Sequence, residues 1–230
     1  MSGSALQNAV SVDTPTRILD VAERLFGQNG LDNVSMREIV RGSGQANLSA
    51  VNYHFGSREA LIGALLARRI HTINELRHQR LDELEASGRD AGVHAIVAAT
   101  VGAVAETVRT TQWGSDYIRV IAQAMFLHQK DVWKTLDRQT LSGQDRAAAM
   151  LKKVLPQLPP AVFRDRVWSL NNQAIYTIAR WSWAHGPVTP SNSRRFAALI
   201  RNTIDFLAAG MAAPIGEPGS LAAIEAGDSS

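Results

Sequence analysis

The chain has 230 residues, of which 45% are apolar, enough for one large or two modest domains with a buried core. It contains no cysteine, which excludes disulfides, thiolate zinc sites and cysteine nucleophiles. Its formal net charge of +3 is small and most of its cations are arginines, so the overall charge neither requires nor excludes nucleic acid.

Targeting and strand signals are weak. Residues 1–12 have neither a basic start nor a long apolar run, and eighteen consecutive apolar residues occur nowhere. We expect a soluble cytoplasmic protein with a flexible N-terminus at 1–12 and no membrane partner.

Apolar residues recur at intervals of three and four, and alternating β-branched runs are few. The sequence therefore predicts an all-α fold.

The first helix is predicted to start with Thr14 as N-cap and Pro15 at the first helical position, and to stop at Asn29-Gly30. One face of it is apolar, with members spaced three and four apart: Ile18, Val21, Ala22, Leu25 and Phe26. This face predicts packing against a core.

Two short helices are predicted next. Ser35 and Glu38 have the spacing of a capping box, so a helix should begin at Ser35 and end at the glycines of 42–44. Asn47 or Ser49 caps the helix that follows. A short helix, a glycine-bearing turn and a second short helix are typical of a helix-turn-helix.

Three groups of residues carry a family resemblance: Ala22, Leu25 and Phe26 with Gly30; Val34 to Ile39; and Ala50 to Phe55 followed by Ser57 to Leu61. Over residues 14–65 the chain resembles the TetR family of bacterial transcriptional regulators. The segment between Gly44 and Phe55 is one residue longer than the commonest family spacing, which affects the register of the third helix.

The resemblance implies a three-helix DNA-binding domain at 13–60, whose connecting helix continues to about 85. It also implies a larger helical domain at 61–211 that binds an effector and dimerises, and a homodimer that binds a palindromic DNA operator. Repression is expected because most members of the family repress.

The resemblance also implies DNA contacts. Asn52 would face base edges, where an Asn pairs with adenine, and Arg37 and Arg58 would bind phosphates. Alternatives stay open, since Tyr53 and His54 also suit half-buried packing positions and Arg58 also suits a solvated first turn. The full predicted set is Ser35, Arg37, Asn47, Ser49, Ala50, Asn52, Tyr53, His54, Ser57 and Arg58.

A long connecting helix is predicted from Ser57 to about Glu85. His71, Glu75 and His78 share one face of it, with a spacing that a two-histidine, one-carboxylate metal site requires. The alternative is a solvated polar face, and we favour it because no second group of ligands completes a site. We therefore predict no metal.

The C-terminal domain should follow residue 88. Its predicted helices are a central one with its apolar stripe over 93–104, then 116–128, 131–140 and 144–155.

The last two helices carry broad apolar faces at 161–185 and from Phe196 to Leu207, which suggests half of a four-helix dimer interface. The predicted interface residues are Phe163, Val167, Ile178, Trp181, Phe196, Ile200, Ile204 and Leu207. Residues 212–230 are predicted to be disordered.

An effector pocket would need apolar residues with occasional polar handles. The candidates are Trp113, Tyr117, Met125, Phe126, Trp133, Trp168, Asn172 and Tyr176, and core packing or the dimer interface is the alternative for each aromatic. They suggest a small, moderately apolar effector.

Other function classes are disfavoured. No nucleophile motif, phosphate loop or paired carboxylates appear, so we expect neither an enzyme nor a cofactor. A helix-turn-helix protein regulated by protein contacts, without an effector, is the remaining alternative.

Overall fold

The protein is described by a computed structural model at residues 13–45, 48–88, 91–126, 136 and 139–216. Over these residues the secondary structure is entirely helical, which confirms the all-α prediction. The helices are α1 (Thr14–Asn29), α2 (Met36–Gly42), α3 (Leu48–Phe55), α4 (Arg58–Ala86), α5 (Val93–Thr110), α6 (Gly114–Phe126), a 3₁₀ turn (Gln139–Leu141), α7 (Ser142–Val154), α8 (Pro160–His185) and α9 (Ser193–Ala212).

Helices α1 to α3 form the N-terminal head. Asp13 occupies the N-cap position of α1 without a side-chain cap, so the prediction of Thr14 as N-cap was wrong by one residue. Ile18, Ala22 and Phe26 are buried, as the apolar face predicted. Ser35 caps α2 with the predicted capping box, and Ser57 caps α4 by accepting a hydrogen bond from the Ala60 amide.

Helices α4 to α9 form the body, with α5 at its centre. Helix α5 packs against α4, α6, α7, α8 and α9, which agrees with the central position predicted for it. Most of the helix predicted at 131–140 lies outside the described residues, and its described end, 139–141, is a 3₁₀ turn. Ala212, the first residue of the predicted disordered tail, still belongs to α9, and residues 213–216 are not helical. Residues 217–230 lie outside the described residues.

The head is fixed to the body along α1. Gly27 lies so close to α6 that an added Cβ would be 2.7 Å from Cβ of Asp116. The Leu31 amide donates to Oε1 of Gln123 on α6 over 2.7 Å. The first contact joins α6 to α1, and the second joins α6 to the loop that follows α1.

Four charged side chains join α1 to α4. The buried carboxylate of Glu23 accepts from Arg68 over 3.0 Å and from Arg69 over 2.8 Å, and Asp20 accepts from Arg68 over 2.7 Å. Burial raises the pKa of Glu23, an effect that the two guanidinium groups oppose. This cluster holds α1 against the connecting helix.

None of the described helices is both long and apolar enough to cross a membrane.

Candidate nucleic-acid interface and effector cavity

Helix α3 presents a polar side to solvent. Ser49, Asn52, Tyr53 and His54 are exposed, and they are called the reading face below. Tyr53 is 86% exposed, so the structure does not support the packing alternative for it. Val51 is 0% exposed and anchors the opposite side of the helix in the core. The side chain of Ala50 and the whole of Asn47 lie outside the described residues.

Helix α2 supports α3 from behind, and its start is fixed by hydrogen bonds. The Ser35 amide donates to Oε2 of Glu38 over 2.7 Å, while the Glu38 amide donates to Oγ of Ser35 over 3.3 Å. These bonds from the Ser35 backbone and hydroxyl hold the pKa of Glu38 below its usual range. The capping box therefore sets the position at which α2 begins, and α3 packs on α2.

Helix α2, on which α3 packs, carries two exposed arginines. Arg37 is exposed in the first turn of α2, as predicted. Arg41, which sequence reasoning missed, is also exposed and lies one helical turn further along. The spacing of four residues between the two arginines puts them on one side of the helix and was the available signal.

Arg58 was predicted to bind phosphate, but its guanidinium is engaged inside the head. It donates to the carbonyl oxygen of Val34 over 2.7 Å and to that of Leu31, and it lies 5.0 Å from the centre of the Phe26 ring. These contacts turn the guanidinium into the head and do not support the predicted phosphate contact. Arg58 thus joins the first turn of α4 to the loop between α1 and α2.

A cavity of 560 Å³ lies in the body between α4, α5, α6, α7 and α8. Val101, Val104 and Ile175 give it apolar walls, and Arg77 and Gln144 give it polar groups. Three of the predicted effector residues, Met125, Trp168 and Asn172, line it. Arg77 was missed because a single arginine within a long connecting helix carries no local signal.

Two predicted effector residues pack in the core, and two others line the open groove described next. Trp113 lies under Arg69, whose guanidinium is 4.4 Å from the ring centre, beside the charged cluster of α1 and α4. Tyr117 is fully buried and donates its hydroxyl to the carbonyl oxygen of Leu66, and burial raises its pKa strongly. Both assignments to the pocket are therefore corrected to core packing. Trp133 lies outside the described residues.

A second, open groove of 570 Å³ runs between α8 and α9 on the surface. Trp168, Tyr176, Phe206 and Phe126 line it, and Tyr176 and Phe126 continue with Trp183 into a neighbouring depression. Trp168 and Phe206 are each 67% exposed. Trp168, Tyr176, Trp183 and Phe206 are called the aromatic face below.

The predicted dimer residues divide into two groups. Phe163, Val167 and Ile204 are half-buried at the edge of the core. The others are buried within one chain, where α8 and α9 pack on each other and on α5, so their assignment to an exposed interface is corrected: Ile178, Trp181, Phe196, Ile200 and Leu207.

Sequence reasoning missed Trp183 and Phe206 as exposed aromatics. For Trp183 a signal exists, because Trp181 and Trp183 are two residues apart and lie on nearly opposite sides of a helix.

The three residues considered as metal ligands do not converge. His71 pairs with Glu75 over 3.3 Å, whereas His78 turns towards Ser142 and Arg146 on α7. Within the described ranges no group of three potential ligands is close enough to hold a metal ion.

Comparison with known proteins agrees with this architecture. The family model of bacterial regulatory proteins of the tetR family matches residues 18–65, and that of the tetracyclin repressor-like C-terminal domain matches residues 98–210. A search of curated proteins finds no match.

Solved structures share the fold at low sequence identity. The transcriptional regulator FadR from Bacillus subtilis, in complex with stearoyl-CoA, is 14% identical over 84% of this chain and 97% of its own, with a TM-score of 0.61. The fatty acid degradation regulator FadR from Bacillus halodurans is 12% identical over 88% of this chain and 98% of its own, with a TM-score of 0.63.

A bacterial regulatory protein in the tetR family from Rhodococcus RHA1 is 14% identical over 86% of this chain and 98% of its own, with a TM-score of 0.58. Together the two family models span the head and most of the body. The chain therefore belongs to the TetR family of bacterial transcriptional regulators.

Proposed function

We propose that this protein is a repressor that binds a near-palindromic DNA operator as a homodimer and is released by a small, moderately apolar effector. The observation that carries the proposal is the geometry of α3, whose reading face is exposed while Val51 is buried behind it. A short helix held at a fixed angle with small polar groups outward fits the major groove.

Specificity is assigned to Asn52 and affinity to the groups around it. An exposed Asn pairs bidentately with adenine, and the exposed Tyr53 and His54 extend the contact along the groove. Arg37, Arg41 and the N-terminus of α4 at Ser57 supply phosphate contacts, which set register without reading sequence.

The aromatic face supports the homodimer. Four large aromatic side chains on α8 and α9 are exposed in the single chain, and covering them removes apolar area from water. We assign this face to a second copy of the chain, because a twofold dimer gives two reading faces about 34–36 Å apart, one for each half of a near-palindrome.

The cavity between α4 and α8 is the proposed effector site. An effector releases DNA only if it binds the DNA-incompetent arrangement more tightly than the competent one. Helix α6 contributes Met125 to the cavity, and it also contacts α1 through Asp116 and the loop after α1 through Gln123. Occupancy that moves α6 would therefore move the head. FadR from Bacillus subtilis, which shares the fold, binds stearoyl-CoA.

Selection of binding sites from random duplexes, followed by fluorescence anisotropy on the selected site, tests the proposal. We expect a two-half-site sequence and a steep fall in affinity with added salt. Asn52→Ala should weaken binding to the selected site by about 1–3 kcal/mol with little change on random DNA. The matched control is Gln79→Ala, which removes an exposed side-chain amide from α4 about six turns beyond its N-terminus.

Three results would contradict the proposal: no enriched sequence, a single half-site bound by a monomer, or equal weakening of both duplexes by Asn52→Ala. The effector is tested separately. A compound that raises the melting temperature of the protein should also lower its affinity for the selected duplex. Compounds that stabilise the protein without releasing DNA would favour regulation by protein contacts instead.

A further inference from the structure

Arg77 is a buried cation inside the effector cavity. It lies on α4, it is only 3% exposed, and it belongs to the cavity wall. Its Nη1 donates to Oδ1 of Asn74 over 2.5 Å, whereas its Nε is buried without a hydrogen-bond partner in the described part of the chain. A guanidinium has five N–H donors, and among the described residues only the bond to Asn74 uses this capacity.

Three other arginines of α4 have carboxylate partners. Arg68 and Arg69 pair with Asp20 and Glu23 on α1, and Arg80 pairs with Glu106 on α5. No carboxylate of the described residues pairs with Arg77. Burial lowers the pKa of Arg77 to about 10, which leaves it protonated at neutral pH. A buried charge without a counter-charge destabilises a fold, so its presence requires a reason.

Asn74 and Gly143 hold the guanidinium in place. Asn74 donates its amide to the carbonyl oxygen of Thr140 over 2.9 Å while it accepts from Arg77. A Cβ at position 143 would lie 2.5 Å from Oδ1 of Asn74 and 3.1 Å from Nη1 of Arg77. Only a glycine lets α7 approach this closely, so the charged group is fixed at the wall of the cavity.

We propose that the effector is an organic acid whose single anionic group binds Arg77 and whose apolar body packs against Val101, Val104 and Ile175. This proposal rests on the function proposed above, which makes the cavity the effector site. Gln144, whose buried Oε1 has no hydrogen-bond partner among the described residues, offers an acceptor to a hydroxyl or N–H group on the body of that acid. Asp145 lines the same cavity and disfavours a second negative charge.

Two fluorescent probes that differ by one charge provide the test. 8-Anilinonaphthalene-1-sulfonate carries an anionic group on an apolar skeleton, and N-phenyl-1-naphthylamine has the same skeleton without it. Titrated into the full chain, both should bind. Arg77→Gln should raise the Kd of the sulfonate by about 30-fold or more, as expected when one member of a buried charge pair is removed. The Kd of the neutral probe should change less than about twofold.

Two further variants separate binding from folding. Arg146→Gln is the matched control, because Arg146 pairs with Asp82 and Glu85 outside the cavity, and it should leave both probes unaffected. Arg77→Met should no longer bind the sulfonate probe. Its melting temperature should be no lower than that of the unaltered protein, because the substitution removes an uncompensated buried charge. A much lower melting temperature for Arg77→Met would show a structural arginine and overturn the proposal.

The probe titrations have outcomes that are independent of DNA. Failure of the sulfonate to bind, or equal weakening of both probes by Arg77→Gln, would overturn the organic-acid proposal. The same variants are then titrated with the selected duplex. If the unaltered protein does not bind the selected duplex, the proposed repressor function is contradicted. The comparison of the two probes remains valid in that case.

Discussion

The two surfaces by which this protein is proposed to act differ in chemistry. The reading face on α3 consists of small polar or amphipathic side chains, whereas the aromatic face on α8 and α9 exposes four large rings. A polar face remains solvated until it meets a partner with complementary groups, so it suits reversible binding to base edges. An aromatic face is costly to leave in water, so it suits a contact that persists.

The largest expected effect comes from placing charges on the aromatic face. Trp168→Glu together with Phe206→Glu should give a monomer, because two carboxylates would be buried against their own copies. The affinity for a two-half-site duplex should fall by about 10²–10⁴-fold as bivalent binding is lost. Sedimentation gives the oligomeric state and anisotropy gives the affinity.

Arg201→Glu is the control for that pair of substitutions. It lies on α9, is exposed, and points about 140° away from Phe206 around the helix. It should leave the dimer and its DNA affinity intact. A dimer that survives the two changes on the aromatic face would place the interface elsewhere.

The head was more predictable from sequence than the body because its determinants are local. Ser35 and Glu38 are three residues apart, and the capping box they form can be read without knowledge of the fold. Arg58 shows the limit of prediction from local sequence. Its carbonyl partners are 24 and 27 residues away in sequence, so its structural role is visible only after folding.

The aromatic face escaped prediction for a different reason. Helices α8 and α9 carry apolar residues on more than one side, and periodicity does not distinguish the side that meets the chain's own core from the side left exposed. Ile178 and Phe196, which were predicted at the interface, are buried, whereas Trp168, which was predicted in the effector pocket, and Phe206, which was not assigned, are exposed. Prediction of the residues that line the cavity would also require long-range information, because five helices contribute to it.

Gly27 lies at the contact through which the body is proposed to act on the head. A methyl group at this position would meet both backbone and side-chain atoms of Asp116, so Gly27→Ala should destabilise the fold by about 1–3 kcal/mol. The control is Thr72→Ala at an exposed position of α4, where helix propensity should raise stability by about 0.5 kcal/mol. Denaturant unfolding measures both.

Equal stability of Gly27→Ala and the unaltered protein would show that α1 and α6 separate at little cost. The contact would then be too weak to transmit a change in α6 to the reading face. A folded Gly27→Ala variant that still binds the duplex but no longer responds to an effector would show that the contact between α1 and α6 carries the response. In that variant both surfaces would be intact, and only the connection between body and head would be altered.

Arg37 and Arg58 separate phosphate binding from head structure. Arg37→Ala should flatten the dependence of log affinity on log salt by about one unit, because one phosphate contact is lost. Arg58→Ala should leave that slope unchanged and lower stability by about 1–2 kcal/mol, because the carbonyls of Leu31 and Val34 lose their donor. A flatter slope for Arg58→Ala would restore it to the DNA contacts.

The smallest expected effect concerns the carboxylate of Glu38. Its pKa is lowered in the folded protein by hydrogen bonds from Ser35, so its ionised form stabilises the fold. This contribution is fully present above the unfolded value of 4.5 and is lost as the pH falls through the folded value. Glu38→Gln keeps a capping side chain but removes the charge.

The gap in melting temperature between the unaltered protein and Glu38→Gln should therefore be constant at neutral pH and close on acidification below about 4.5. Glu83→Gln, at an exposed position on α4, is the control and should show no such closure. A gap that persists in acid would mean that the amide fails for reasons of geometry. The start of α2, and with it the orientation of the reading face, would then depend on the shape of the capping box rather than on its charge.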